Sequence, residues 1–321
     1  VIPLSRLGLG GGPLGNLYAE VSEEDALGAV EAAWAAGVRY FDTSPHYGLG
    51  LSERRLGAAL TGRPRSEFVL STKVGRVLEP ASGTGVDTGF AVPSTHRRVW
   101  DFSADGVRRS LESSLERLGV DRVDVLYLHD VDLVEDPVER ERAFAEGWPA
   151  LVELRARGVV RAVGVGVNDW RVAERFVREA DPDVVMLAGR YTLLEQGALA
   201  SFLPACAERG VAVVAAGVFN SGVLARQVVP DDAKYHYADA PPDVLARARA
   251  IAEVCRRHGA TLPQAAIRFP LGHPAVVGVV VGARSAEEVA QNAAALAAHL
   301  PAALWADLRD AGLLDAAAPV P

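Results

Sequence analysis

The sequence predicts an α/β fold, a (β/α)8 or TIM barrel, on three observations. Short β-branched apolar runs recur along almost the whole chain, an amphipathic stretch of helical period follows nearly every run, and the runs are too continuously apolar to keep one face in water. The strand candidates are Leu7–Leu9, Val38–Asp42, Phe68–Lys73, Val123–His129, Ala162–Val167, Val184–Ala188, Ala212–Ala216 and Val276–Val281.

The helices between them carry start and stop signals. Ser22 before Glu23, Glu24 and Asp25 is an N-cap with acids in the first turn; Ala26, Val30, Ala33 and Trp34 then share a face, and Gly37 ends the pattern. Ser103 opens a stripe of Val107, Leu111, Leu115 and Leu118 that stops at Gly119. Further helices are expected over 52–60, 147–157, 170–180, 197–209, 243–258 and 285–299. A barrel of this kind uses roughly 250 residues. The 321 residues are therefore read as a single barrel domain, 1–321, with long irregular connections at 74–102 and 217–242 and a tail at 301–321. Gly10-Gly11-Gly12-Pro13-Leu14-Gly15 formally fits a dinucleotide-binding G-x-G-x-x-G, but Asn16 to Val21 intervene before the Ser22 cap, whereas in that fold the glycines open the helix directly.

With 33 basic and 41 acidic residues the net charge is −8, which speaks against nucleic acid or an anionic membrane as a partner. No apolar run reaches the roughly 20 residues of a membrane span, and VIPLSRLGLGGG does not read as a leader, so a cytoplasmic location is expected. Cys206 and Cys255 lie in helical segments without metal-ligand spacing and read as buried free thiols. All but two of the 33 basic residues are arginine, the exceptions being Lys73 and Lys234.

At a barrel mouth the strand C-termini converge, so polar residues there are the ones to examine. Asp42 ends YFD, Lys73 ends VLSTK, His129 ends VLYLH, and Tyr47 follows in Thr-Ser-Pro-His-Tyr. An ionisable group at the end of a core strand is costly to bury unless it is paired, and these four can satisfy one another. They also form a proton-transfer device. An ammonium beside a phenol favours the phenolate, Asp42 can hold Lys73, and His129 can orient a substrate oxygen.

These residues resemble the Asp-Tyr-Lys-His tetrad of the aldo-keto reductases, (β/α)8 barrels that bind a nicotinamide cofactor without a Rossmann domain. The resemblance covers almost the whole chain and rests on FDTSPHYG, the strand-end lysine and the strand-end histidine. It implies Asp42, Tyr47, Lys73 and His129 as the catalytic set, with Tyr47 as general acid in reduction and general base in oxidation. For the cofactor it implies Gly12 and Asp42, Asn168 at the carboxamide and Tyr191 stacked on the nicotinamide. It further implies Gly217, Val218, Phe219, Asn220, Ser221, Gly222 and Leu224 around the pyrophosphate, and Gly282, Arg284, Glu288, Gln291 and Asn292 at the adenosine end. Two positions depart from the family pattern: Val167 replaces a serine and Ala188 a glutamine. Glu288, where users of the phosphorylated cofactor carry a basic residue, favours NAD, with NADP possible; Ser285 and Glu288 also spell a capping box.

The phrases GLGGGPLGNLY, AGRYTLLEQGAL and GVFNSGVLA resemble the family's branch of aldose and pyridoxal dehydrogenases. That implies a small-molecule sugar substrate such as L-fucose, L-galactose or D-arabinose, oxidised at the anomeric carbon to a lactone. Tyr47 and His129 would meet it, with His46, Trp100 and Tyr18 as the first candidates for selecting it, followed by Asp130, Phe219 and Trp305. The alternatives are an NADPH-dependent aldehyde or ketone reductase, a pyridoxal 4-dehydrogenase, and a cofactor-binding sensor of the channel-subunit kind. A metal-dependent hydrolase using Asp42, His46 and His129 fits poorly, because no H-x-H occurs on a strand and Lys73 would repel the cation; no metal is expected. The sequence carries no signal for an oligomeric state.

Overall fold

The computed structural model describes residues 4–81, 85, 89–93, 95–236 and 238–321. Residues 82–84, 86–88 and 94 of the first long connection and 237 of the second lie outside the described residues.

In chain order the strands are β1 (Leu7–Gly10), β2 (Tyr40–Asp42), β3 (Val69–Val74), β4 (Arg76–Pro80), β5 (His96–Trp100), β6 (Val125–His129), β7 (Ala162–Val167), β8 (Val184–Ala188), β9 (Ala212–Ala216), β10 (Lys234–Tyr235), β11 (Ala238–Asp239) and β12 (Val276–Gly282). Eight of them, β1, β2, β3, β6, β7, β8, β9 and β12, close in that order into a parallel barrel. All eight strands foreseen in the sequence are therefore present and form the foreseen fold.

Their side chains sort into two cores. Tyr40, Val69, Val125, Tyr127, Val184, Met186, Val214 and Val280 fill the barrel, while the alternate positions pack outward against the helices. Interior space is shared between small and large residues: a Cβ on Gly8 would come 2.8 Å from the Tyr40 ring, and one on Gly164 would come 1.8 Å from the Val184 carbonyl oxygen. Parallel register then brings the polar strand ends to one rim, with Asp42 opposite Gly10 and Ser71, Lys73 opposite Tyr127, and His129 opposite Gly166.

The helices are α1 (Glu23–Ala35), α2 (Leu51–Leu60), α3 (Ala104–Leu118), α4 (Pro137–Arg142), α5 (Trp148–Ala156), α6 (Trp170–Glu179), α7 (Phe202–Arg209), α8 (Pro242–Arg257), α9 (Leu262–Arg268), α10 (Ala286–Ala297) and α11 (Ala302–Asp310). The expected caps form: Ser22 accepts the Asp25 N–H at 3.0 Å, Ser103 accepts that of Gly106 at 3.0 Å, and Gly119 closes α3 in the left-handed region.

Several segments differ from expectation, among them the connection 217–242, in which β10 and β11 pair as a short antiparallel hairpin. Within the connection 74–102, β4 and β5 pair as an antiparallel hairpin whose Arg76 reaches the mouth. Its strands are too polar for an apolar pattern to reveal. The tail at 301–321 contains α11, whose Leu304, Trp305 and Leu308 are buried; Trp305 belongs to the core and lines no substrate site. The seven-residue α9 is too short for periodicity but opens with a capping box between Thr261 and Gln264. Cys206 and Cys255 are buried free thiols, each pushed up to about 12 by burial.

Candidate active site at the barrel mouth

The turn after β1 and the loop after β2 interlock through glycines. A Cβ on Gly15 would lie 2.5 Å from the Tyr47 carbonyl carbon, and one on Gly48, where φ is +63°, would lie 2.3 Å from the Gly15 oxygen. Only glycines allow this approach. It fixes the backbone that carries Tyr47.

Asp42, Tyr47, Lys73 and His129 are brought together. Lys73 Nζ donates to Asp42 Oδ2 at 2.6 Å and to the Thr43 carbonyl at 2.9 Å, with both side chains of the pair 3% exposed or less. The other carboxylate oxygen of Asp42 accepts the Ser71 hydroxyl at 2.7 Å. The ammonium lies 4.7 Å from the Tyr47 ring centroid, close enough for its charge to act on the phenol. Gly166 leaves the room for this, because a Cβ there would stand 3.6 Å from Lys73 Cε. Although burial alone would lower it, the Asp42 carboxylate and the Tyr47 phenol hold the Lys73 ammonium above its ordinary pKa. Burial raises the Tyr47 phenol, and Lys73 opposes that rise.

His129 is held neutral by burial and by the cations of Lys73 and Arg76. Its tautomer follows from its neighbours. Asp130 Oδ2, a carboxylate oxygen that only accepts, stands 3.3 Å from His129 Nε2, which assigns the imidazole proton to Nε2 and leaves Nδ1 to accept from Ser44 Oγ at 2.9 Å, while Ser44 Oγ also accepts the His46 backbone N–H at 3.1 Å. The rings of Tyr47 and His129 are perpendicular, their centroids 5.9 Å apart.

The hairpin β4–β5 contributes residues the sequence reading missed. Arg76 donates to Asp130 Oδ2 at 2.6 Å, lies 3.2 Å from His46 Nδ1 and stacks on Trp100 at 4.3 Å. Arg98 donates to the His46 carbonyl at 3.3 Å. Burial, together with Arg76, Arg98 and Lys73, takes the His46 pKa down to about 2, so His46 is a neutral wall. The signal for Arg76 was its place three residues beyond Lys73, hidden inside an apparent loop. His46 and Trp100 do reach the mouth. Tyr18, exposed on the turn after β1, bonds Ser221 in the loop after β9 instead.

The expected cofactor residues divide. Asn168 directly follows β7, partly exposed, its backbone N–H bonded to Asp132 at 3.0 Å. Tyr191 corrects the reading: its ring packs 5.1 Å from Phe269 and 6.0 Å from His273 with 1% exposure, in the layer between barrel and helices, so it offers no face for stacking. Val218 and Leu224 are likewise buried outward, and their side chains cannot line the mouth. Gly217, Phe219, Asn220, Ser221 and Gly222 form the loop beyond β9, with left-handed φ at Gly217, Asn220, Ser221 and Gly222. Gly12 lies in the turn after β1, whose Pro13 ring would be met at 2.7 Å by a Cβ on Gly282. Before α10, Glu288 accepts the Arg284 backbone N–H at 2.8 Å and its guanidinium at 3.0 Å. Gln291 bonds Glu287, and Asn292 faces β1 and α1 across a small cavity. Among the described residues no group of three His, Cys, Asp or Glu side chains converges as a metal site would require, and no helix is long and apolar enough to cross a membrane.

A closed parallel barrel whose mouth holds a phenol against a buried ammonium–carboxylate pair and a neutral imidazole is the frame of a carbonyl–alcohol oxidoreductase. The chain belongs to the aldo/keto reductase family, whose model matches residues 6–312. It is 48% identical over 318 residues to a D-threo-aldose 1-dehydrogenase from Pseudomonas sp, covering 98% of this chain and 95% of that protein. It is 41% identical over 328 residues to a pyridoxal 4-dehydrogenase from Microbacterium luteolum, with the same two coverages. Among solved structures, the aldo-keto reductase AKR11C1 from Bacillus halodurans in its holo form superposes with a TM-score of 0.76 at 26% identity, over 98% of this chain and 93% of that one.

Proposed function

We propose that this protein is a nicotinamide-dependent aldose 1-dehydrogenase. It oxidises the anomeric carbon of a cyclic sugar of the L-fucose, L-galactose or D-arabinose kind to the lactone, and it prefers NAD to NADP. The observation that carries the reading is the Lys73 ammonium held between Asp42 and the Tyr47 phenol, with the His129 Nε2–H beside them. The relative named for D-threo-aldoses supports the substrate class.

The residues present fit a dinucleotide. A Cβ on Gly222 would meet nothing within 4 Å, and one on Gly12 would meet only Leu17, at 3.6 Å, so open space faces both glycines. Asn220 Oδ1 is buried without a partner among the described residues. Gly12, Asn168, the loop 217–222 and the start of α10 would hold the cofactor, which when bound supplies the hydride acceptor. Glu288 favours a free ribose diol over a 2′-phosphate, and its pairing with Arg284 keeps that guanidinium engaged.

The side chains then divide the proton work. Tyr47 accepts the anomeric hydroxyl proton in oxidation and returns it in reduction. Lys73 stabilises the phenolate that takes up this proton in oxidation and is left behind in reduction, and Asp42 fixes Lys73. His129, as a neutral donor through Nε2, orients the reacting oxygen without delivering a charge. A spectrophotometric screen of L-fucose, L-galactose, D-arabinose, L-xylose and pyridoxal with each cofactor tests the proposal. NADH formation from an aldose is the expected result; turnover confined to pyridoxal, or to aldehyde reduction with NADPH, overturns it.

A further inference from the structure

Proton transfer at the mouth is complete with Asp42, Lys73, Tyr47 and His129, yet a second buried ion pair stands beside them. Arg76 and Asp130 meet at 2.6 Å with 12% and 13% side-chain exposure. A buried pair of this kind contributes little to stability compared with apolar packing of the same volume. Its retention against the reacting centre calls for a role in recognition. We infer that the Asp130–Arg76 pair reads the hydroxyl on the carbon next to the one oxidised, so that the enzyme selects 2-hydroxy aldoses against their 2-deoxy counterparts. The inference rests on the aldose reading above.

Position comes first. Asp130 directly follows His129 at the end of β6 and adopts the left-handed region, φ +48°. Its Oδ2 stands 3.3 Å from His129 Nε2, the donor that orients the reacting oxygen. Vicinal oxygens of a sugar lie about 3 Å apart, one hydrogen-bond length, so an oxygen held by Nε2 brings its neighbour within reach of Asp130.

The chemistry matches that neighbour. A carboxylate only accepts and a guanidinium only donates, whereas a sugar hydroxyl does both. An O–H that gives its proton to Asp130 can take one from Arg76 in return. Arg76 is held flat on Trp100 at 4.3 Å and braced by His46 at 3.2 Å, and its Nε–H is buried without a partner among the described residues. A substrate without the hydroxyl would leave this charged pair half satisfied and out of water, which is where polar sites discriminate most.

The test uses D-arabinose, 2-deoxy-D-ribose, which is D-arabinose without its 2-hydroxyl, and D-ribose, which inverts it. In the wild-type holoenzyme, kcat/KM for D-arabinose should exceed that for 2-deoxy-D-ribose by roughly 10- to 100-fold, the factor carried by a hydrogen bond to a charged group, and D-ribose should fall with the deoxy sugar. In Asp130→Asn, which keeps the shape and the left-handed backbone, the ratio should shrink to a few-fold because D-arabinose loses more than 2-deoxy-D-ribose. Arg76→Lys should shrink it in the same direction. Each ratio is taken on one preparation, so any loss of folded protein cancels. A wild-type ratio near one, an unchanged ratio in both variants, or loss of both sugars alike in both variants overturns the inference and leaves the aldose reading standing. Absence of turnover with every aldose overturns the aldose reading and the inference with it.

Discussion

Replacing Lys73 by methionine tests the central electrostatic argument, because it keeps much of the side-chain volume and removes the charge. With the ammonium 4.7 Å from the Tyr47 ring centroid, the lost attraction for a phenolate is roughly 3 to 4 kcal/mol at an effective dielectric of about 20, equivalent to two to three pH units. At a fixed neutral pH, oxidation should therefore slow by roughly 100- to 1000-fold, and its rise with pH should move further into the alkaline range. A second effect must be separated from this one. Asp42 is 2% exposed, and stripping a buried carboxylate of its cation destabilises a protein by about 3 to 5 kcal/mol. The double variant Asp42→Asn/Lys73→Met removes both charges and should recover much of the melting temperature while remaining inactive. Initial rates of reduced-cofactor formation across pH, alongside calorimetry, resolve the two. A Lys73→Met enzyme with a wild-type rate and pH profile would refute the mechanism, and so would a double variant that regains activity along with stability.

Other outcomes follow from the same geometry. Tyr47→Phe should abolish turnover and leave cofactor affinity within a few-fold, read by fluorescence titration; surviving activity would remove Tyr47 from the proton path. Gly15→Ala should lower kcat at least tenfold with a milder fall in melting temperature, because its Cβ needs the space 2.5 Å from the Tyr47 backbone. The Asp130 carboxyl is raised to about 6, first by burial and then by Asp132 against the pull of Arg76. Above that pH it is the charged acceptor, and below it the group is protonated. Sugar kcat/KM should therefore fall as pH drops through about 6, and Asp130→Asn should lack that limb. Glu288→Arg should shift the NADP to NAD ratio of kcat/KM upward at least tenfold; an unchanged ratio would reduce Glu288 to its bonds with Arg284.

The barrel was legible because its strands are short, buried runs in which Val, Leu, Ala and Gly predominate, and the tetrad because three of these strands carry Asp, Lys or His at or near their ends, an expensive choice unless paired. What escaped depended on directions that spacing does not encode. Tyr191 was read as a cofactor ring from its motif, but its loop turns it outward onto Phe269, a choice made by packing against the turn that follows α9. Arg76 and Arg98 were invisible as site residues because RVLEP in β4 and HRRVW in β5 are polar and show no strand period, and they are joined by a long connection, so no single window marked a hairpin. Glu288 was read both as a ribose contact and as a cap. In the structure its carboxylate reaches the Arg284 backbone and guanidinium rather than the Ser285 N–H, a partner that only the fold could choose.

The scarcity of lysine has a practical consequence. Lys73 is sealed beneath Tyr47 at 2% exposure, while Lys234 is half exposed in β10, bonded to Asp239. Among the lysines, amine-reactive labels therefore address Lys234 alone. A dye, tether or bead attached there reports on the connection that follows β9 and leaves the ammonium under Tyr47 untouched. This gives the protein a single lysine handle for immobilisation or for distance measurements across the mouth.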